Sequence, residues 1–190
     1  MSAALDLFVD RGYAMTRLED VATQAGVSKG TLYLYFTNKE ELFKAVVREN
    51  LIPVLSEAEE AIDRYTGSSA ELFSDFILGW WQRIGATRLS GITKLMIAES
   101  GNFPDLSKFY HDEVITRSNA LIIRMLERGI SRGEFRPVAT RHAKNVIVAP
   151  VIMLMMWRHS FNAVQVEPIS AEEYLKCFID LLLRGLLADR

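Results

Sequence analysis

The stretch Gly26–Phe36, GVSKGTLYLYF, leaves few choices of local fold. Leu18, Val21, Ala22 and Ala25 fall at i, i+3, i+4 and i+7, the apolar stripe of a short helix. Gly26 stands just past that stripe, where a left-handed backbone ends a helix at little cost. Ser28 then offers a side-chain cap to a second short helix, with Lys29, Gly30 and Thr31 in its first turn. Two short helices joined this way make a helix-turn-helix, whose second helix enters the DNA major groove.

The flanks carry the same logic. Ala4, Leu5 and Phe8 share one face of a first helix that stops near Gly12. Thr16 and Glu19 have the spacing of a capping box for the second helix, and Asn38 with Glu41 starts a fourth. Only the first turns of a recognition helix reach base edges. There Lys29 can donate to guanine, Gly30 lets backbone approach DNA, and Thr31 can bond a base or phosphate. Tyr33 and Tyr35 can bond phosphates, and Lys39 adds its charge to a helix N-terminus that favours anions. Thr16 and Arg17 can hold the opposite backbone or a groove edge. Taken singly, each has an ordinary explanation as a cap, a solvated charge or a core ring; together they form a DNA-reading constellation.

Charge argues for local placement. The chain of 190 residues has a net charge of −2. Over residues 1–48 the basic side chains of Arg11, Arg17, Lys29, Lys39, Lys44 and Arg48 are matched by Asp6, Asp10, Glu19, Asp20, Glu40 and Glu41. A nucleic-acid binder usually shows a basic footprint, and here contact must come from where individual charges sit. The single cysteine, Cys177, allows no disulfide within the chain, fits a reducing cytoplasm, and reads as a small buried hydrophobe. Met1 leads directly into an amphipathic helix with no signal-peptide pattern. The longest apolar run, 146–157, is too short to span a bilayer.

Beyond residue 40 the helical period persists and no strand alternation shows, which makes the class all-α. One stripe from Leu42 to Ile62 predicts a long fourth helix bent at Pro53. The TGSS segment at 66–69 reads as a linker-like break. Further helices are expected near 70–87, 90–99, 105–133, 140–162 and 171–188, the last opened by a Ser170–Glu173 capping box.

The motifs Phe8-Val-Asp-Arg-Gly-Tyr13, Leu18-Glu-Asp-Val-Ala22, Gly26-Val-Ser-Lys-Gly-Thr-Leu-Tyr33 and Asn38-Lys-Glu-Glu-Leu42 resemble the DNA-binding domain of the tetracycline-repressor (TetR/AcrR) family. The resemblance is dense over residues 3–47; beyond residue 50 it is one of helical architecture. It implies a helix-turn-helix head over 1–48, with helix four as connector, and a ligand-binding and dimerising helical body over 49–190. Carried over by position, Lys29, Gly30 and Thr31 read bases with Arg17 beside them, while Thr16, Tyr33, Tyr35 and Lys39 grip phosphates of a double-stranded operator. Family members usually carry a basic arm before helix one; here Met1 is followed almost directly by Ala3-Ala-Leu5.

The body is rich in aromatics and thioethers, which suit an adaptable pocket and equally suit plain core. The resemblance implies a pocket for a small hydrophobic effector within the helices at 70–87, 90–99 and 105–133. Its candidate contacts are Trp80, Trp81, Met96, Phe103, Phe109, Tyr110, Met125, Trp157 and Phe161. The helices near 140–162 and 171–188 are apolar on most sides, which predicts a homodimer built from them. No cofactor, metal site or membrane segment is expected. The three histidines, His111, His142 and His159, form no HExxH or ExxH pattern, which makes an all-α enzyme a remote alternative. A DNA-binding or protein-interaction module without an effector remains the other alternative, and a cavity in the body distinguishes it.

Overall fold

The computed structural model describes residues 1–164 and 166–188, and among them the regular structure is helical. The head comprises α1 (Ser2–Met15), α2 (Leu18–Ala25) and α3 (Lys29–Tyr35), followed by α4 (Lys39–Asn50). The body continues with α5 (Ile52–Arg64), α6 (Ser69–Trp80), α7 (Ser90–Glu99), α8 (Pro104–Tyr110), α9 (Thr116–Ser131), α10 (Thr140–Ser160) and α11 (Ala171–Leu186). Two π-helical turns interrupt this pattern: Trp81–Gly85 extends α6, and His111–Ile115 joins α8 to α9.

Local chemistry sets most helix ends. Gly26 adopts φ 69°, ψ 27° and closes α2. The Ser28 hydroxyl accepts from the Thr31 amide, and the Asn38 side chain accepts from the Glu41 amide, capping α3 and α4. Gly12, at φ 82°, breaks α1 where the sequence places its end.

The Thr16–Glu19 capping box does not form. Arg17 is the N-cap of α2 without a side-chain bond. The Thr16 hydroxyl turns inward instead, within reach of the carbonyls of Gly12 at 2.7 Å and Leu7 at 3.1 Å. The Gly12 break leaves its carbonyl outside the helical ladder, and the nearest hydroxyl takes it. The box that does form is Ser68–Glu71, inside the segment expected to be a linker: each side chain bonds the other's backbone amide. Ser170 caps α11 by accepting from the Glu173 amide at 3.3 Å.

The long fourth helix divides at Leu51, two residues before Pro53. A proline ring crowds the carbonyl four residues back and contributes no N–H, so the bend precedes it. The Leu51 and Leu55 amides still bond Val47 and Leu51, keeping α4 and α5 mechanically continuous. One antiparallel bridge, Phe135 with Leu187, ties the end of α11 to the α9–α10 loop.

A single buried cluster runs from head to body. In the head, Phe43 meets Phe8 and Tyr13 edge-on at 5.1 and 5.6 Å. Ala25, placed on the α2 stripe by the sequence, is exposed. Cys177 is exposed too: about 200° around the helix from the buried Leu175, it lies on the far side of α11.

Candidate DNA interface and effector cavity

The recognition helix is fastened from below and open above. Leu32 is buried, whereas Tyr33, Leu34 and Tyr35 are 40%, 84% and 76% exposed. Lys29, Gly30 and Thr31 are exposed in the first turn. A Cβ added at Gly30 would meet nothing nearer than the Ser28 hydroxyl at 3.7 Å, so internal packing does not require glycine there. The exposure of Leu34 on this helix is an apolar feature that periodicity does not mark.

The charges around α3 are mostly held by the protein itself. Lys29 pairs with Glu19 at 2.6 Å and lies 5.5 Å from the centre of the Tyr33 ring. The Tyr33 hydroxyl also donates to Glu19, at 3.3 Å. These contacts hold the Glu19 carboxyl below its ordinary range, Lys29 first, and the same pair raises Lys29. Arg17 is exposed, with no acidic partner among the described residues.

Two of the expected phosphate contacts have internal partners in this structure. Thr16 is 1% exposed with its hydroxyl used internally, so its side chain cannot reach DNA. Lys39 folds back on the head: its ammonium donates to the carbonyls of Tyr13 at 2.7 Å and Ala14 at 3.0 Å and sits 4.5 Å from the centre of the Tyr13 ring. Burial there pushes its pKa below the ordinary lysine value. The carbonyls at the end of α1 attract a cation, and Lys39 is the nearest.

The body contains a cavity of about 460 Å³. Its wall is largely aliphatic, with Leu51, Val54, Ile122, Ile147 and Val151 contributed by elements on opposite sides. No Asp, Glu, Lys or Arg stands among its lining residues. Thr93 and Tyr110 place two hydroxyls on the wall, 3.2 Å apart, and Ser100, Ser107, His111, Ser118 and Asn119 add polar groups. The π turn His111–Ile115 supplies three wall residues, His111, Val114 and Ile115. From the same turn Glu113 takes both nitrogens of Arg48 on α4, at 2.9 and 2.5 Å.

Of the aromatic and thioether candidates, Trp80, Met96 and Tyr110 line this cavity. The others have different work. Phe103 packs edge-on against Tyr13 at 4.6 Å, joining body to head. Phe109 lies under the Arg48 guanidinium at 5.0 Å and the Lys44 ammonium at 5.7 Å. Met125 is fully buried core. Trp81 and Trp157 face a separate small cleft, and Phe161 packs on Trp157 at 5.0 Å. The cavity also draws on α5 and α10, beyond the expected helices. Leu51, Val54, Leu55 and Ala58 form a normal helical stripe, and nothing in such a stripe tells a filled core from a hollow one.

His159 is half-buried with Nε2 2.7 Å from the Ser90 hydroxyl. Burial is the main cause of its lowered pKa, followed by Arg158, Lys94 and Arg88. Among the described residues no cluster of His, Cys, Asp or Glu could hold a metal, and no helix is long and apolar enough to cross a membrane.

Comparison with known proteins agrees with this arrangement. Residues 1–46 match the family model of bacterial regulatory proteins, tetR family. The HTH-type transcriptional activator FasR of Mycolicibacterium smegmatis is 37% identical over 81 residues, covering 40% of this chain and 37% of that protein. The match thus spans little more than a third of that activator's length. The fatty acid metabolism regulator protein of Bacillus subtilis is 26% identical over 136 residues, covering 72% of this chain and 69% of that protein. The crystal structure of FadR from Bacillus subtilis in complex with stearoyl-CoA superimposes with a TM-score of 0.82 at 23% identity, over 97% of this chain and 96% of that one. That likeness establishes the fold.

Proposed function

We propose that this chain, a DNA-binding transcriptional regulator whose N-terminal segment belongs to the tetR family, is a repressor released from its operator by a long, mostly apolar molecule. Residues 1–48 are the reading head and 49–190 the sensing and pairing body. The observation that carries this reading is the cavity: an aliphatic chamber of about 460 Å³ whose wall shares a π turn with the ion pair holding α4. At about 30 Å³ per water-sized group, it accepts on the order of fifteen such groups, the scale of a long acyl chain or a fused-ring skeleton. The stearoyl chain of the stearoyl-CoA in the structurally similar Bacillus subtilis complex is of that scale. A solid body core would have favoured a module without an effector.

On DNA, Lys29, Gly30 and Thr31 face base edges, and Leu34 offers apolar contact to a thymine methyl. Tyr33, Tyr35 and Arg17 face phosphates. Lys29 exchanges Glu19 for a guanine edge on binding. Two heads must be held together, and α10 and α11 supply the pairing surface: Met153 is 54% exposed and Leu181 65% in the single chain. Burying both helices in a two-fold four-helix interface places the heads at half-sites about 34–36 Å apart or a multiple of that.

The experiment is a titration of an operator, selected from random DNA, by fluorescence anisotropy with and without stearoyl-CoA. Couplings of this kind change affinity roughly 5- to 150-fold. Release in that range supports the reading. Unchanged operator affinity with stearoyl-CoA bound would favour a regulator blind to the cavity's contents.

A further inference from the structure

The Thr93 and Tyr110 hydroxyls present unfinished hydrogen-bond chemistry in a largely apolar chamber. Tyr110 is 6% exposed, and its hydroxyl lies 3.2 Å from that of Thr93. Among the described residues neither hydroxyl has a second partner. Each carries one proton. Their mutual bond uses one of the two, whichever residue donates, so one O–H donor remains unused on the cavity wall. Buried polar groups are ordinarily satisfied, and an unused donor in an apolar chamber is a vacancy for an acceptor. Burial pushes the Tyr110 pKa up, which keeps the phenol protonated and therefore a donor.

We propose that the Thr93–Tyr110 pair is a polar subsite of the cavity and selects an effector with one uncharged acceptor oxygen, a ketone or ester-type carbonyl, on an otherwise apolar skeleton. The inference rests on the cavity being the effector site. A carboxylate is a poor occupant of this subsite: no Lys or Arg lines the chamber, and a charge buried without a partner is far more costly than a neutral dipole. A plain hydrocarbon fills the volume but leaves the donor unused. A carbonyl satisfies it without bringing charge inside.

The pair makes an unusual mutational signature. Tyr110→Phe leaves Thr93 with its own proton free, and Thr93→Val leaves Tyr110 likewise. Each single variant therefore still offers one donor. Only T93V/Y110F removes the subsite. Because it replaces both partners by apolar groups of similar shape, it is close to neutral for folding.

The test is displacement of Nile red from the full-length protein by four C17 probes delivered from cyclodextrin: heptadecane, 2-heptadecanone, methyl hexadecanoate, and heptadecanoate at pH 8. The natural sequence should bind the ketone and the ester roughly three- to tenfold more tightly than the alkane, the worth of one neutral hydrogen bond. Both single variants should keep that preference and the double variant should lose it, while alkane and heptadecanoate binding stay unchanged. The ketone and ester arms separate the two carbonyl sources. Equal binding of alkane, ketone and ester by the natural sequence, or a preference that survives the double substitution, would overturn the subsite while leaving the cavity reading standing. Failure of Nile red and every C17 probe to bind would overturn the cavity reading, and this inference with it.

Discussion

Replacing Lys39 by methionine separates two ways a lysine can serve a DNA-binding head. Its ammonium holds the last carbonyls of α1, Tyr13 and Ala14, from the first position of α4. A hydrogen bond to a charged group contributes about 1.5–3 kcal/mol net. The contact with the Tyr13 face adds about 0.5–1 kcal/mol at a partly exposed site. Lys39 is half-buried, so solvent screening lowers the total, and methionine keeps the aliphatic stem. The expected net loss is about 2 kcal/mol. For a chain of this size that lowers Tm by about 4–8 °C, at about 2–4 °C per kcal/mol. The assay pairs a thermal melt of the DNA-free protein, at matched concentration, with the salt dependence of operator binding. A structural tie predicts the drop in Tm with an unchanged salt slope. A phosphate clamp predicts the reverse, a slope shallower by about 0.9 with Tm unmoved. The second pattern would refute the reasoning.

Glu19 restrains Lys29 and places a negative charge beside the DNA-facing helix. Glu19→Gln should tighten binding to operator and random DNA alike, by roughly fivefold at low salt and less as salt rises; anisotropy titrations showing no gain on either would remove Glu19 from the interface. The Ser69 hydroxyl, then the Ser69 amide at the start of α6, which donates to Glu134 at 2.5 Å, and Arg132 at 2.6 Å lower the Glu134 pKa from 4.5 to about 2. Its folded pKa lies below the unfolded one, so its contribution is complete above pH 4.5 and disappears as pH falls toward 2. That contribution is on the order of 2 kcal/mol after allowance for partial exposure. In urea unfolding, Glu134→Gln should cost that amount at pH 6 and progressively less below pH 4.5; a constant penalty across that window would contradict the linkage.

Local backbone chemistry was legible in advance. Ser28, Gly26 and Asn38 act as caps because capping depends on neighbours within three or four residues. Thr16 escaped because its partners, the Gly12 and Leu7 carbonyls, exist only after Gly12 breaks α1. Lys39 escaped for a longer-range reason: the end of α1 lies twenty-odd residues away in sequence and in contact in space. The cavity was the least legible feature. Of the aromatic and thioether residues, Phe103, Phe109 and Met125 fill seams and core, while ordinary aliphatic stripes on α5, α9 and α10 join Trp80, Met96 and Tyr110 around the void. Empty volume is a property of how stripes meet, and the period of a single stripe does not record it.

The seam between head and body decides how a cavity ligand could reach DNA. Ion pairs cross it: Arg88 bonds Asp6 and Asp10 at 2.7 Å, and Arg48 bonds Glu113. These side chains are about a third to three-fifths exposed, and such pairs contribute roughly 0–1 kcal/mol each. Coupling between two sites typically requires 1–3 kcal/mol. Apolar contacts at the seam must supply much of that. Val9 packs so closely on Gly91 that a side chain there would have no room, and Phe103 closes on the buried Tyr13. An aromatic pair contributes about 0.5–1.5 kcal/mol beyond its area, and the partly buried Phe103 adds an apolar share. Phe103→Ala should therefore reduce stearoyl-CoA-induced release of operator by about tenfold. Glu113→Gln should reduce it by no more than about fivefold, the equivalent of about 1 kcal/mol. Each variant's operator affinity without ligand and its Tm serve as controls for damage to the head. Full release retained in Phe103→Ala but lost in Glu113→Gln would show that the ion pair, and not the aromatic seam, carries the signal.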